Sequence, residues 1–209
     1  VDMVTQQATV VRLSDLGLEG MKYSPSEWFN HKLERHLRFQ YPTYMFGDAT
    51  FEIDEEGNPW WVCPKSEKRI GLFGGTDRNG AVLVNDITGE SSYYEAEDIP
   101  TWVDRVYLAT LIVQQYDYHG TYVNGFLNSI FGQKDVTVTT DDFNYLAIGD
   151  DVYMYTGVTS VSGDQSNIGF LLSNQRTKET TYYSAPGAIE SSAKLSAQGV
   201  VQDLGYTAT

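Results

Sequence analysis

Few side chains in this sequence are of a kind that does chemistry, and their spacing limits what each can do. The three histidines are His31, His36 and His119. His31 and His36 stand five positions apart on a predicted helix, about 140° round its axis, too far to close on one metal ion. No HExxH pair is present. Carboxylates are abundant, and the runs Asp54-Glu55-Glu56, Asp141-Asp142 and Asp150-Asp151 invite comparison with glycosidase acids. That chemistry needs two carboxyl groups across one cleft with opposed pKa shifts. These runs instead fall in predicted hairpin turns, where Asp caps the local backbone. No D-x-[DN]-x-[DN]-G loop supports calcium. The stretch Gly71–Gly75 lacks both the lysine of a phosphate-cradling loop and GxGxxG spacing, and joins strands. Cys63, the lone cysteine, lies in an apolar strand-like segment with no neighbouring His or cationic helix end to activate it. One cysteine also excludes an intrachain disulfide and a cysteine-based zinc site. No G-x-S-x-G elbow occurs. The chain therefore reads as non-catalytic, with no metal and no cofactor.

Aromatic residues are the enriched class, with 15 Tyr, 9 Phe and 4 Trp. Trp60-Trp61, Tyr93-Tyr94, Tyr153/Tyr155 and Tyr182-Tyr183 fall on predicted strands, where adjacent rings point to opposite faces. Inward rings pack the core, and outward ones can form a sheet surface for protein or glycan. The binding candidates are Trp60, Trp61, Tyr93, Tyr94, Tyr182 and Tyr183. A net charge of −14 repels phosphate backbones, so a protein partner is expected and nucleic acid is not. Lys32, Arg35 and Arg38 form the one basic cluster, a solvated helix face or a docking site for an acidic partner. The longest apolar run, Leu108 to Val113, is interrupted by Thr110. It cannot span a bilayer, so a membrane link is expected only through a segment absent from this chain.

These residues must be positioned by elements that recur. Gly80–Tyr94 laid over Gly169–Tyr183 matches at Gly80/Gly169, Leu83/Leu172, Asn85/Asn174, Thr88/Thr177, Glu90/Glu179, Tyr93/Tyr182 and Tyr94/Tyr183. Unrelated stretches of fifteen would match at about one position, so the match indicates an internal repeat. The opening Val1, Asp2 and Thr5 fit Val84, Asn85 and Thr88 of the same template. Each copy reads as a β-hairpin, with Val- and Leu-rich strands closed by a polar turn. Upstream, Phe51–Val62 corresponds to Phe143–Met154, pairing Phe51 with Phe143 and Gly57 with Gly149. The strands 69–73 and 155–160 would complete four or five antiparallel strands per copy.

A helix signal precedes each sheet. Ser24-Pro25-Ser26-Glu27 has the form of a capping box, predicting a helix to about Phe39 with Phe29, Leu33 and Leu37 as its apolar stripe. A second helical region is expected from Pro100 to about Phe131 with a break at Gly120, and a third over 188–204. The expected architecture is α+β: tandem repeats of a helix packed on a four- to five-stranded antiparallel sheet. Residues 1–20 are read as the tail of a preceding repeat, and residues 21–118 as the first complete unit. Residues 119–209 form the second, ending in the helix of a next, truncated unit. The chain so reads as an excerpt from a longer array.

The hairpin signature, strand–[ND]-x-x-T-[GK]-E–strand after an amphipathic helix, is similar to the PepSY-type module of bacterial envelope proteins. Over nearly its whole length the chain also resembles a group of membrane-anchored proteins of Gram-positive bacteria. That likeness rests on Tyr23–Phe29 (YSPSEWF), Glu34–Phe39 (ERHLRF), Tyr41–Thr43 (YPT), Ile70–Gly75 (IGLFGG), Asp98–Val106 (DIPTWVDRV) and Asn174–Glu179 (NQRTKE). The resemblance implies a PepSY/cystatin-like fold and an extracytoplasmic place in the cell envelope, and it supplies no catalytic residues. PepSY-type modules are suspected of restraining peptidases, so a peptidase inhibitor is one alternative to a scaffold or interaction module. The other is a hydrolase of wall glycan or peptide using inter-repeat carboxylates. Its mark would be asymmetry between copies, such as Asp54 and Glu55 against Leu146 and Ala147.

Overall fold

The Val-, Leu- and Tyr-rich runs form two antiparallel sheets of five strands each, accompanied by a few helices in a mixed α+β chain. The structure, a computed structural model, describes residues 7–70, 74–149, 151–161 and 166–188. Two compact units divide it at Val1–Leu108 and Ala109–Thr209. The division falls ten residues before the expected boundary at 118, which would have cut a helix in two.

The first unit contains α1 (Leu33–Gln40), β1 (Met45–Phe46), β2 (Thr50–Ile53), β3 (Pro59–Ile70), β4 (Gly74–Asn85) and β5 (Ser91–Glu95). Its core joins Leu33 and Leu37 of α1 to Cys63, Val82 and Val84 of the sheet, with Tyr41, Tyr44, Phe46, Trp61 and Tyr93 packed round them. The second contains α2 (Ala109–Tyr122), β6 (Thr137–Ile148), β7 (Asp151–Ser160), β8 (Ser166–Asn174), β9 (Thr180–Tyr183) and β10 (Gly187–Ala188). Met154, Thr156, Val158, Leu171 and Ser173 line its buried sheet face.

The two sheets pair their strands alike. β2–β3–β4–β5 in one and β6–β7–β8–β9 in the other are neighbours in the same order. Thr50↔Val62 is matched by Asn144↔Tyr155, Trp61↔Val84 by Met154↔Ser173, and Val82↔Tyr93 by Leu171↔Tyr182. Even the register slip recurs, between Lys65 and Ser66 and between Val158 and Thr159. Register corrects one expected pairing: Phe51, opposite Trp61, corresponds to Tyr145, opposite Met154, and Phe143 lies two residues earlier. By the same pairs Glu52 and Ile53, rather than Asp54 and Glu55, correspond to Leu146 and Ala147.

The Asn, Thr, Gly and first Tyr residues identical between the hairpins act on the backbone in the same way. Asn85 Oδ1 accepts the N–H of Ile87 and Thr88, both at 3.0 Å, and Asn174 Oδ1 accepts those of Arg176 and Thr177 at 2.8 and 3.0 Å. Thr88 and Thr177 hydroxyls accept the N–H of Glu90 and Glu179. Gly89 and Lys178 both close the turn at positive φ, 75° and 67°. Gly80 and Gly169 let the chain of Tyr94 and Tyr183 approach, for a methyl at either would collide with that carbonyl oxygen. The hydroxyls of Tyr93 and Tyr182 donate across to the carbonyls of Asn79 and Ile168, at 3.2 and 3.0 Å. Alanine at Asn85 or Asn174 strands two backbone donors, so each substitution is expected to cost about 1–2 kcal/mol by chemical denaturation. Asn174 should cost more, because its Nδ2 also donates to Asp151 at 2.8 Å.

Local signals misplaced the helices. The first begins at Leu33, not at Pro25. Ser24 Oγ accepts the N–H of Ser26 in a local turn, and the Ser24 carbonyl accepts that of Leu33. Phe29 adopts φ 50° and is 77% exposed, so the apolar stripe reduces to Leu33 and Leu37. In the second region, residues 100–108 are not helical, and Gly120 lies inside α2 instead of breaking it. The break comes after Tyr122, with Gly125 at φ 86°, before a π-helical turn at Asn128–Gly132. Arg69 and Ile70 end β3 rather than open a separate strand. The template match at Val1–Thr5, residues 71–73, Asp150 and the expected helix beyond Ala188 lie outside the described residues.

Candidate functional site

Alternation along β7 and β8 sorts the second sheet into two faces. Val152, Met154, Thr156, Leu171 and Ser173 are buried, and Tyr153, Tyr155, Phe170 and Leu172 project the other way. Leu146 stands opposite Tyr153, Tyr155 opposite Leu172, and Phe170 opposite Tyr183. Phe170 and Tyr183 stack with ring centroids 5.0 Å apart. Leu146, Ile148, Tyr155 and Tyr183 are each about 36–45% exposed. The result is an aromatic and aliphatic sheet surface open to solvent.

The corresponding face of the first sheet is closed. There Val62, Ala81 and Leu83 are fully buried, and Trp60 packs against Trp102 with centroids 5.7 Å apart. Glu52, the counterpart of Leu146, grips the stretch after Trp102: its carboxylate accepts the N–H of Asp104 at 2.8 Å and of Arg105 at 3.1 Å. Burial pushes the Glu52 carboxyl up to about 7 despite those two bonds, with the Asp104 charge adding to the rise.

The six aromatic candidates are placed unequally. Trp60 donates its indole N–H to Asp54 and Trp61 donates to the Tyr23 carbonyl, both at 2.8 Å, and both rings are half-buried. Tyr93 sits in the core rim beneath Lys65, whose ammonium lies over its ring and that of Tyr44. Tyr94 is half-buried. Tyr182 is exposed, with its hydroxyl tied to the Ile168 carbonyl, and Tyr183 belongs to the open face. Leu146, Ile148, Phe170 and Leu172 were not among the sequence candidates; Phe170 and Leu172 alternate with buried neighbours, and Leu146 and Ile148 with half-buried ones.

The charged candidates serve the fold. Burial raises the Asp54 carboxyl, yet hydrogen bonds from Asn58, Trp60 and Glu56 outweigh it and hold the group below its ordinary value. Asp141 and Asp142 lie within β6 at its register shift, not in a turn, and Asp151 pairs with Arg176 at 2.9 Å. His31 and His36 both pack their rings on Tyr23, and His36 Nε2–H donates to the Gly89 carbonyl at 2.7 Å. Arg35 lies over the Phe39 ring, and Arg38 reaches the carbonyls of Pro42 and Tyr44. A cleft of about 400 Å³ beside α1 is floored by Leu33, Leu37 and Cys63. Burial, with the Glu34 charge, drives the Cys63 thiol far above the range in which it forms a nucleophilic thiolate. Among the described residues no three His, Cys, Asp or Glu side chains gather as a metal site, and no helix is long and apolar enough to cross a membrane. Comparison with protein-family models, curated proteins and solved structures found no match.

Proposed function

We propose that this chain is a non-catalytic interaction module built from two copies of one helix-plus-sheet repeat, of PepSY/cystatin-like kind. We further infer an extracytoplasmic place in the cell envelope, as part of a larger membrane-anchored protein, from the resemblance noted above. The observation that carries the reading is the contrast between the copies. They share every register pair and turn bond quoted above, yet one sheet face is closed by Trp102 and the Glu52 grip while its counterpart is open. Asn, Thr and Gly residues common to both copies hold the hairpin turn, so the copies differ in which sheet face is left uncovered, and recognition follows from that face. Tyr155 and Tyr183, with Leu172 on the strand between them and Leu146 on the strand beyond Tyr155, supply the rigid, amphipathic area that dominates protein interfaces.

The test is a photo-crosslinking amino acid placed at Tyr155, at Tyr183 and at the half-buried turn residue Lys178, in the cells that make the protein. One discrete adduct from the two tyrosine positions, lost on Leu172→Asp and absent from Lys178, is the expected result. Equal adducts from all three positions, or none from the tyrosines, would overturn the assignment.

A further inference from the structure

A second apolar surface lies at the end of α2 and carries an independent signal. From Tyr118 to Gln133, sixteen residues run without Asp, Glu, Lys or Arg in a chain whose net charge is −14. Within that stretch Tyr122, Val123, Phe126, Leu127, Ile130 and Phe131 are all exposed, Leu127 to 69% and Phe131 to 84%. Such an accumulation is unlike the scattered apolar residues of an ordinary surface. The segment is also braced from within. Asn124 and Asn128 donate to the Lys134 carbonyl at 3.0 and 2.9 Å, Asn128 Oδ1 accepts the Lys134 N–H at 3.1 Å, and Ser129 donates to the Phe126 carbonyl at 2.7 Å. Gly125, Ser129 and Gln133 N–H groups likewise bond to carbonyls of the same segment.

These facts select the occupant. A protein interface exchanges about one hydrogen bond per 100–200 Å² and leaves polar groups facing outward for that purpose. Here the asparagine and serine side chains turn back onto the segment and its flank, where Asn124 also donates to the Asp135 carboxylate at 3.3 Å, and rings and branched chains face out. That is the condition for entering a medium that offers no hydrogen-bond partners. Charge points the same way: an acidic chain is repelled by an anionic surface, and a cap without Asp, Glu, Lys or Arg meets a zwitterionic one with little charge to desolvate. Tyr118 and Tyr122, each with a polar tip, stand at the rim where aromatic side chains meet headgroups.

We propose that the Tyr118–Gln133 cap docks on the interface of a zwitterionic lipid bilayer, with Phe126, Leu127, Ile130 and Phe131 entering the acyl boundary. The test uses the full chain and vesicles of pure phosphatidylcholine. Because Cys63 is buried, Phe131→Cys offers one accessible thiol for an environment-sensitive dye. Vesicles should blue-shift that dye, and flotation should show the double variant Leu127→Asp, Phe131→Asp binding at least ten-fold more weakly, with an unchanged circular dichroism spectrum. Adding anionic lipid should weaken binding. Three results would each overturn the proposal: no dye shift, binding confined to anionic vesicles, or lipid-free self-association that the double variant abolishes.

Discussion

Replacing Gly120 by alanine is expected to destabilise the second unit by about 1–3 kcal/mol, although alanine is the better helix former by about 1 kcal/mol. Gly120 lies inside α2 and is buried where the helix crosses the start of β6. A methyl at that Cα would enter the van der Waals shell of the Thr137 carbonyl oxygen and come 2.7 Å from Thr137 Oγ1. The neighbouring contacts fix the helix at this distance. Asp117 Oδ1 accepts the Thr139 N–H at 2.8 Å, and the hydroxyls of Tyr116 and Thr137 lie 3.3 Å apart. The added methyl must therefore push the helix off a backbone atom, loosening these bonds together. All four tryptophans precede Leu108, so the loss is read by far-ultraviolet circular dichroism and by amide exchange in β6. Adding Thr137→Ala should not restore stability, because the obstacle is the carbonyl. Full rescue by that second change would show that the hydroxyl was the only barrier.

Gly120 also marks where sequence reading stopped. A glycine in a helical pattern reads locally as a break, and nothing in the flanking residues says that another strand will lie against it. The hairpins were legible for the opposite reason. The side chains of Asn85 and Thr88 act on backbone within a few residues of themselves, so spacing alone specifies what they do. Ser24-Pro25-Ser26-Glu27 has the composition of a helix start, yet its neighbour Tyr23 gives its N–H to the Asp86 side chain 63 positions away, at 2.8 Å. That tertiary bond belongs to a strand-like path and overrides a weak local preference. The identities Asn85/Asn174 and Thr88/Thr177 serve the turn, so they align the two hairpins and leave the register of β2 and β6 open. Those strands share no identical residue at equivalent positions, and only pairing aligns them.

The open face was half legible. Alternation of Tyr153 and Tyr155 with buried neighbours gives the side of the sheet, but not whether something covers it. In the first unit the covering is supplied by Trp102 and by the Glu52 bonds to Asp104 and Arg105, contacts about 40–50 residues apart in sequence. No pattern within a strand reports such a contact. Glu52 against Leu146 is therefore the informative difference: a carboxylate where the sheet is closed, an aliphatic side chain where it is open.

That same carboxylate gives the first unit a pH dependence that its counterpart lacks. Glu52 titrates near 7 in the folded chain, because burial opposes its charge more strongly than the Asp104 and Arg105 N–H groups favour it. Unfolded, it returns to an ordinary carboxyl value near 4.5. Between those values the folded state keeps a proton that the unfolded state has released. The contribution of Glu52 to stability is thus fully present below about 4.5 and lost as pH rises through about 7. At 1.36 kcal/mol per unit the difference is about 3 kcal/mol, which partial exposure of the group lowers to about 2–3 kcal/mol. Glutamine at this position cannot titrate. Unfolding followed by tryptophan fluorescence, which reports Trp60, Trp61 and Trp102 beside the grip, should show the parent losing about 2–3 kcal/mol relative to Glu52→Gln between pH 4 and pH 8. Subtracting the variant removes the histidines and the remaining carboxylates from the comparison. Parallel stability curves for the two proteins would mean that the carboxylate is solvated at all pH values and that Trp102 alone closes the face.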